Sequence, residues 1–173
     1  MRVDERLGRI SNDLDYAVRN GAFADVPVKG ESYAKWYARL LSTLTLIVGD
    51  MKVLYSQTTY DPAEPGNHAR TVLFTGSRVI VVDIADVLQD DTEVRTRILP
   101  RKSLEAIDVA AGMRIDTRGS ESYGWPGELT ITAHYPGLDG SVKISGPGVE
   151  SYKVDQPAPI MALLETMQND LTA

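Results

Sequence analysis

The spacing of apolar residues changes once along the chain, from a helical period before residue 49 to a period of two after residue 50. Residues 3–20 carry one narrow row of apolar positions at steps of four and three residues, which predicts an amphipathic helix. A broader row over residues 32–48 predicts a second helix. Its last part, residues 43–48 (TLTLIV), also alternates as a strand does, so a strand from Thr43 remains an alternative there.

Stretches of alternating apolar and polar residues predict β-strands in the middle of the chain. The clearest pattern is TVLFTGSRVIVVD at residues 71–83, where two apolar runs flank Gly76 and Ser77. A two-residue loop with glycine first is typical of a type II′ hairpin. Apolar residues on one face of Ala158–Leu171, with prolines near its start, predict a closing helix. The seven predicted strands form one run with helices at both ends, which indicates an α+β fold. The strands lie near residues 51–60, 70–75, 78–84, 93–99, 104–110, 128–135 and 141–145.

Two of these segments carry a family resemblance. The hairpin TVLFTGSRVIVVD resembles the bacterial pleckstrin-homology-like (GRAM-type) pattern of an apolar strand, a tight turn, an arginine and a second apolar strand ending in aspartate. RILPRKSLEAIDVAAG, residues 97–112, is similar to the strand pair that follows in that family. The resemblance covers about residues 50–172. It implies an antiparallel pleckstrin-homology-like β-barrel of about seven strands closed by a C-terminal helix, at 50–173. The two helices predicted from the apolar spacing precede this barrel as an additional N-terminal helical segment at 1–49.

Composition limits the classes of protein and of site. The 173 residues include no cysteine, which excludes disulfides and thiolate chemistry. No apolar run approaches the length of a membrane span, and residues 1–13 lack the apolar block of a signal peptide, so we expect a cytoplasmic protein. The net charge of −6 and the lack of a basic run disfavour nucleic acid as a partner. Most of the net negative charge lies in residues 119–173, which contain two basic and seven acidic residues.

The sequence offers little for catalysis or metal binding, and we expect neither an enzyme nor a cofactor. His68 lies in a segment with proline and glycine just before a predicted strand, and His134 ends another strand. No G-x-S-x-G motif positions a nucleophile. The acidic stretch Asp83–Glu93 lacks the spacing and the turning glycine of a calcium-binding loop, so we interpret it as solvated loop charge.

Five basic residues and one tryptophan are the candidate contacts for a ligand or partner. Arg95 and Arg97 are two residues apart on a predicted strand and therefore share a face, where they can bind an anion or pair with acidic neighbours. The resemblance implies the first possibility, because pleckstrin-homology domains that bind phosphoinositides use basic residues near the open end of the barrel. Trp125 lies in a loop with glycine and proline, where it can anchor a partner or cap the barrel. The full set is Arg78, Arg95, Arg97, Arg101, Lys102 and Trp125.

The first predicted helix carries the strongest signal for a partner. Its apolar row is too narrow to bury a whole helix face, and an isolated helix of this length is marginal in water. The row must therefore dock on its own chain or on a second copy, and its candidate self-association residues are Val3, Leu7, Ile10 and Leu14. We predict a non-catalytic interaction module that binds a protein partner or itself as a homo-oligomer. The alternatives are a binder of anionic membrane lipids or phosphorylated ligands, and a barrel that binds a small ligand or acts as an enzyme.

Overall fold

In the computed structural model, the described residues are 3–19, 35–61, 67–112, 127–138, 140–148 and 158–172. The helices in this part of the chain are α1 (Val3–Arg19), α2 (Lys35–Val48) and α3 (Pro159–Leu171). Its strands are β1 (Val53–Asp61), β2 (His68–Thr75), β3 (Arg78–Ile84), β4 (Val94–Pro100), β5 (Ala106–Ala111), β6 (Glu128–His134) and β7 (Val142–Pro147). A short 3₁₀ turn, Arg101–Ser103, lies between β4 and β5. Each predicted strand therefore has an observed counterpart.

Residues 43–48 belong to α2, so the alternative of a strand from Thr43 is wrong. The segment alternates in sequence, but its environment follows the helical period because Leu44 and Val48, one turn apart, are both buried. Leu46, which a strand would place on the same face as those two residues, is 85% exposed. The buried face of α2 consists of Trp36, Tyr37, Leu40, Leu44 and Val48.

β2 and β3 form the predicted antiparallel hairpin, with Phe74 paired to Val79 beside the loop. The type II′ prediction for this loop is wrong, since Gly76 does not adopt the positive φ which that turn requires at its first loop position. The hydroxyl of Thr75 contacts the far side of the loop instead. It donates to the Arg78 carbonyl at 3.2 Å and accepts from the Arg78 N–H at 3.0 Å. A side chain therefore closes this turn.

The chain divides into two compact units, Met1–Ile98 and Leu99–Ala173. In the first unit the strand order of the sheet is β1-β2-β3-β4, and α1 and α2 pack on one of its faces. Paired residues such as Leu73 of β2 and Ile80 of β3 supply the sheet's side of this core. The buried residues that the two helices contribute are Leu14, Val18, Trp36, Tyr37, Leu40, Leu44 and Val48.

Polar side chains fix both helices in the first unit. The indole Nε1 of Trp36 donates to the carbonyl of Val87, in the loop after β3, at 3.2 Å. The Tyr37 hydroxyl donates to Oδ1 of Asp15 at 2.7 Å and so joins α2 to α1. Because buried polar groups need partners, such bonds select one docking position for each helix where apolar contact alone would allow several.

The second unit is a three-stranded antiparallel sheet of order β5-β6-β7 with α3 beside β7 and the 3₁₀ turn. The buried side chains alternate along β6 and β7, as expected for strands with one covered face. On α3 they recur at helical spacing. The buried apolar residues of these elements are Leu129, Ile131, Ala133, Val142, Ile144, Ile160, Leu163 and Met167.

The predicted α+β content is observed as two antiparallel sheets of four and three strands together with helices. No helix in the described ranges is both long and apolar enough to cross a lipid bilayer.

Candidate functional site

One predicted arginine, Arg97, belongs to a charged cluster on the first unit's sheet. Asp83 of β3 is the centre of this cluster, with only 15% of its side chain exposed. Arg70 of β2 donates from Nε to Asp83 Oδ1 at 2.6 Å, and the His68 Nε2 lies 3.8 Å from the same oxygen. Nη2 of Arg97, on β4, lies 3.8 Å from Asp83 Oδ2. We call His68, Arg70, Asp83 and Arg97 the Asp83 cluster.

The Asp83 cluster carries net positive charge, because two arginines face one carboxylate. The register between β2 and β3 places the cluster on the sheet face opposite the helices. Arg70 is paired directly with Asp83, and every second residue of β2 counted from Arg70 lies on that face. Arg95 shares that face of β4 by alternation, but its side chain is 62% exposed and lies 3.3 Å from Glu93. Sequence reasoning missed the contribution of Arg70 and His68.

The other predicted contacts lie elsewhere. Arg78 donates from Nη1 to the carbonyl of Ile47 at 3.2 Å, near the last turn of α2, where a cation is favoured by the helix dipole. Arg101, in the second unit, forms a two-pronged ion pair with Asp170 of α3, at 2.6 Å and 3.1 Å. Lys102 is exposed. Trp125 lies outside the described residues.

The C-terminal part of the apolar row of α1 packs within the chain. Leu14 is 1% exposed in the helix–sheet core, and Ile10 packs against that core. Leu7 is 44% exposed, and the side chain of Val3 lies outside the described set. Leu14 is therefore already covered by α2 and the sheet. This part of the row is expected to dock on its own chain and not on a second copy.

The two histidines and the acidic loop have ordinary polar partners. His134 lies 2.9 Å from Asp108, on an exposed part of β6 and β5. In the loop after β3, Asp86 accepts from the Leu88 N–H at 3.0 Å and from the Gln89 amide at 2.8 Å. Within the described ranges, no three histidine or acidic side chains are grouped as metal ligands would be. The bonds of Asp86 agree with the interpretation of this stretch as loop charge, but Asp83 is a largely buried residue of β3 and not part of a solvated loop.

Among the described residues of the second unit, Tyr135 has a pKa that its surroundings shift clearly. It is 4% exposed, and its hydroxyl has no hydrogen-bond partner among the described residues. Burial raises the pKa of the Tyr135 phenol far above its ordinary value, and the negative charge of Asp170 raises it further. The positive charge of Arg101 acts in the opposite direction. The net effect keeps the phenol protonated at neutral pH.

A groove lies between α2 and β4 in the first unit, with a cavity of about 360 Å³. We call it the α2–β4 groove; it is lined by Arg39, Leu40, Thr43, Thr92, Val94 and Thr96. At one end Arg39 pairs with Asp91 at 2.8 Å. Leu46 of α2 is not part of the lining but follows Thr43 by one helical turn, and it is 85% exposed.

Ile98, two residues after Thr96 on the same face of β4, is 47% exposed and continues the groove along the strand. The sequence does contain a signal for this surface. Leu46 is an apolar residue that lies off the buried row of α2. A single residue of that kind does not indicate which neighbouring element completes a surface.

Comparison with known proteins finds similarity among solved structures. A pleckstrin homology domain from Shewanella amazonensis matches with a TM-score of 0.39 and 14% sequence identity, over 78% of this chain and 97% of that one. The chain is similar to bacterial pleckstrin-homology proteins. A DUF1696 family protein with a pleckstrin-homology domain from Shewanella loihica gives 0.38 and 14%, over 78% and 92%. These bacterial matches agree with the resemblance predicted from the sequence.

The hSac2 domain of the human phosphoinositide phosphatase Sac2 also matches, with a TM-score of 0.38 and 15% identity, over 82% of this chain and 84% of that domain. No protein-family model and no curated protein matches the chain.

Proposed function

We propose that this chain is a non-catalytic binding module that takes a protein partner in the α2–β4 groove. The observation that carries the proposal is the exposure of Leu46 and Ile98, at 85% and 47%, beside the groove. Apolar side chains that are exposed next to a concave, partly polar surface are typical of sites where proteins associate. A cytoplasmic location belongs to the same proposal.

The chemistry of the groove supports binding over catalysis. Three threonines, one arginine and two aliphatic residues line it, and Arg39 is the only side chain of that lining that carries a charge. No general base or nucleophile with an activating partner lies in this lining. Hydroxyl groups and short aliphatic side chains provide hydrogen bonds and apolar contact, which are sufficient for recognition of a peptide.

Site-specific photo-crosslinking in cells tests the proposal. A photoreactive amino acid at Thr43, in the groove, is expected to give an adduct with a partner protein. The same residue at Thr59, an exposed position of β1, is the matched control. Leu46→Asp is expected to reduce the Thr43 adduct several-fold, because it places a charge where the partner buries apolar surface.

No adduct at Thr43, or equal adducts at Thr43 and Thr59, would contradict a binding function for the groove. An adduct with the mass of two copies of this chain would support self-association, the homo-oligomer that the sequence also suggests, in place of a separate partner.

The closed barrel is the finer part of the fold proposal. We infer that the seven strands form one pleckstrin-homology-like barrel that α3, and not strand pairing between the two sheets, closes, as the family resemblance implies. The counterparts of all seven predicted strands and of the final helix support this inference.

Binding of an anionic group is a second candidate function, favoured by the Asp83 cluster. Arg70 and Arg97 approach one carboxylate from two strands, and His68 adds a third group that becomes positive on protonation. Exposed Arg95 lies on the same strand face. Such a set can bind phosphate groups, and basic residues at an anionic membrane contribute about 1 kcal/mol each.

Vesicle sedimentation at low salt tests this candidate. Vesicles that contain phosphatidylserine are expected to bind the protein better than phosphatidylcholine vesicles, and Arg70→Gln is expected to remove most of the difference. Arg78→Gln, at the end of α2, is the control. Equal sedimentation with both vesicle types would rule the candidate out for membranes, and competition by inorganic phosphate would identify a free phosphate ligand.

A further inference from the structure

β4 is the last strand in the order β1-β2-β3-β4 and so forms an edge of the first unit's sheet. The Ala85 N–H donates to the Glu93 carbonyl at 3.1 Å, where β3 and β4 meet their connecting loop. Because backbone groups alternate in direction along an antiparallel strand, odd-numbered residues of β4 bond to β3 and even-numbered residues face away from it. The backbone N–H and C=O groups of Val94, Thr96 and Ile98 therefore face the edge.

The two faces of β4 differ in chemistry. On the side of α2 the strand presents Thr96 and Ile98, next to the α2–β4 groove and exposed Leu46. On the opposite side it presents Arg95, which is 62% exposed and lies 3.3 Å from Glu93, and Arg97, which is 22% exposed and belongs to the Asp83 cluster. None of the residues of β4 is fully buried. A strand placed beside β4, at the usual spacing of about 4.8 Å, would meet an apolar row on one face and a basic row on the other.

We propose that the partner of the α2–β4 groove is an extended peptide segment that adds a fifth strand at the edge of β4, with apolar and acidic side chains in alternation. This inference rests on the proposed binding function of the groove. Main-chain hydrogen bonds to Val94, Thr96 and Ile98 hold such a peptide, and its alternate side chains determine specificity. Apolar side chains lie beside Ile98 and Leu46, and acidic side chains lie beside Arg95 and Arg97.

Charge argues for an acidic partner and against β4 of a second copy. In an antiparallel pair of two β4 strands centred on Thr96, Arg95 of each strand lies opposite Arg97 of the other. Like charges directly across a strand pair are destabilising, whereas opposite charges contribute favourably. An acidic residue at each of these positions replaces repulsion with attraction. The same arginines protect the edge from pairing with copies of the chain, as charged residues on edge strands commonly do.

Fluorescence anisotropy with synthetic peptides tests the inference on the full chain. The probe is a labelled peptide of alternating Val and Glu with seven residues, the length of β4. A Val/Lys peptide controls for charge, and a Val/Glu peptide that is N-methylated at every second residue controls for main-chain hydrogen bonding. We expect binding of the Val/Glu peptide, and at least tenfold weaker binding of both controls.

Two pairs of protein variants complete the test. Thr96→Pro removes an edge N–H that does not bond to β3, and Thr96→Val keeps it. We expect Thr96→Pro to bind the Val/Glu peptide about threefold to tenfold more weakly than Thr96→Val, the effect of one hydrogen bond. Arg95→Glu is expected to reverse the preference between the Glu and Lys peptides. Lys52→Glu, a charge reversal at an exposed residue before β1, leaves that preference unchanged.

The outcomes separate this inference from the function on which it rests. Equal binding of the N-methylated peptide, equal affinities of Thr96→Pro and Thr96→Val, or no binding of the Val/Glu peptide overturns strand addition. If the cellular adduct at Thr43 persists in Thr96→Pro, the groove binds a partner in another way and only strand addition is wrong. If no adduct forms at Thr43 in the unsubstituted chain, the groove itself is not a binding site.

Discussion

The hydroxyl of Tyr135 is buried in the second unit without a hydrogen-bond partner among the described residues. Its pKa is raised in the folded state, mainly by burial, whereas in the unfolded chain it is about 10. Above pH 10 the unfolded state therefore binds fewer protons than the folded state, and the free energy of unfolding falls as pH rises. Below pH 10 this tyrosine contributes no pH dependence. We predict that Tyr135→Phe reduces the loss of stability between about pH 10 and pH 11.

Urea unfolding of both proteins from pH 7 to pH 11 measures this difference. At pH 7, Tyr135→Phe is expected to be as stable as the parent or more stable, because it removes a buried hydroxyl that lacks a partner. Tyr16→Phe, at a 71% exposed position, controls for loss of a phenol. Identical alkaline slopes for the parent and Tyr135→Phe would contradict the prediction.

Thr58 is a second residue whose polar atom decides local stability. Its hydroxyl donates to the Val18 carbonyl at 3.0 Å and lies 2.9 Å from the Thr71 hydroxyl, all in a buried position. Thr58→Val leaves a carbonyl and a hydroxyl buried without this partner. We predict a loss of about 1–3 kcal/mol in the free energy of unfolding, measured in urea.

Thr59→Val is the matched control for Thr58→Val, because the Thr59 hydroxyl is exposed and makes only a long 3.4 Å bond to Arg70. We expect it to change stability by less than about 0.5 kcal/mol. Similar losses in the two variants would show that β-sheet propensity or packing, and not the buried hydrogen bond, determines the effect.

Among the elements, the strands were predictable and their partners were not. Alternation along a strand depends only on nearby residues, so it indicates where a strand runs and that Arg95 and Arg97 share a face. Which groups meet that face depends on register across strands, as in the pairing of Arg70 with Asp83. The partner of Arg101 is 69 residues away in sequence, beyond the reach of any local pattern.

The turn between β2 and β3 shows the same limit within a short segment. The pattern around Gly76 indicated a tight two-residue loop, which is observed. It did not indicate that the Thr75 hydroxyl would bond to both backbone groups of Arg78. Because that side chain closes the loop, glycine does not need the positive φ of a type II′ turn. Turn type depends on side-chain bonds that a residue pattern does not encode.

The helix α1 yields a prediction at the scale of an element. Leu14 is 1% exposed in the core, so Leu14→Ala removes buried contacts and leaves a cavity. We predict a loss of about 2–5 kcal/mol in the free energy of unfolding. Leu7→Ala, at a position that is 44% exposed on the same helix, is expected to cost much less.

Chemical unfolding, together with light scattering at several protein concentrations, checks the α1 prediction. If Leu14 packs within its own chain, Leu14→Ala lowers stability by the same amount at every concentration. If the apolar row of α1 mediates self-association, the parent protein is more stable at high protein concentration. Leu14→Ala then removes this dependence of stability on concentration. The second result would contradict docking within the chain.

At the scale of the whole molecule, the net charge of −6 and the local basic surfaces have separate roles. The net negative charge is concentrated in residues 119–173, where seven acidic residues accompany only two basic ones, whereas residues 1–118 are almost balanced. A net negative charge disfavours nucleic acid as a partner. The basic residues that matter are few and belong to the sheet of the first unit, in the Asp83 cluster and at Arg95. Under the proposed binding functions, specificity would depend on where these few cations lie, which the total charge does not reveal.

The closed barrel makes a prediction about how the two compact units unfold. If the seven strands enclose one core, Met1–Ile98 and Leu99–Ala173 lose structure in one cooperative transition.

Hydrogen exchange followed by mass spectrometry in increasing urea reports each unit through its own peptides. Leu44→Ala destabilises the first unit and Ile131→Ala the second, because both side chains are fully buried. We predict that either variant lowers the urea midpoint of peptides from both units by the same amount. A midpoint that changes only in the unit that carries the substitution would mean two independent cores, and the closed barrel would then be wrong even though every strand is in place.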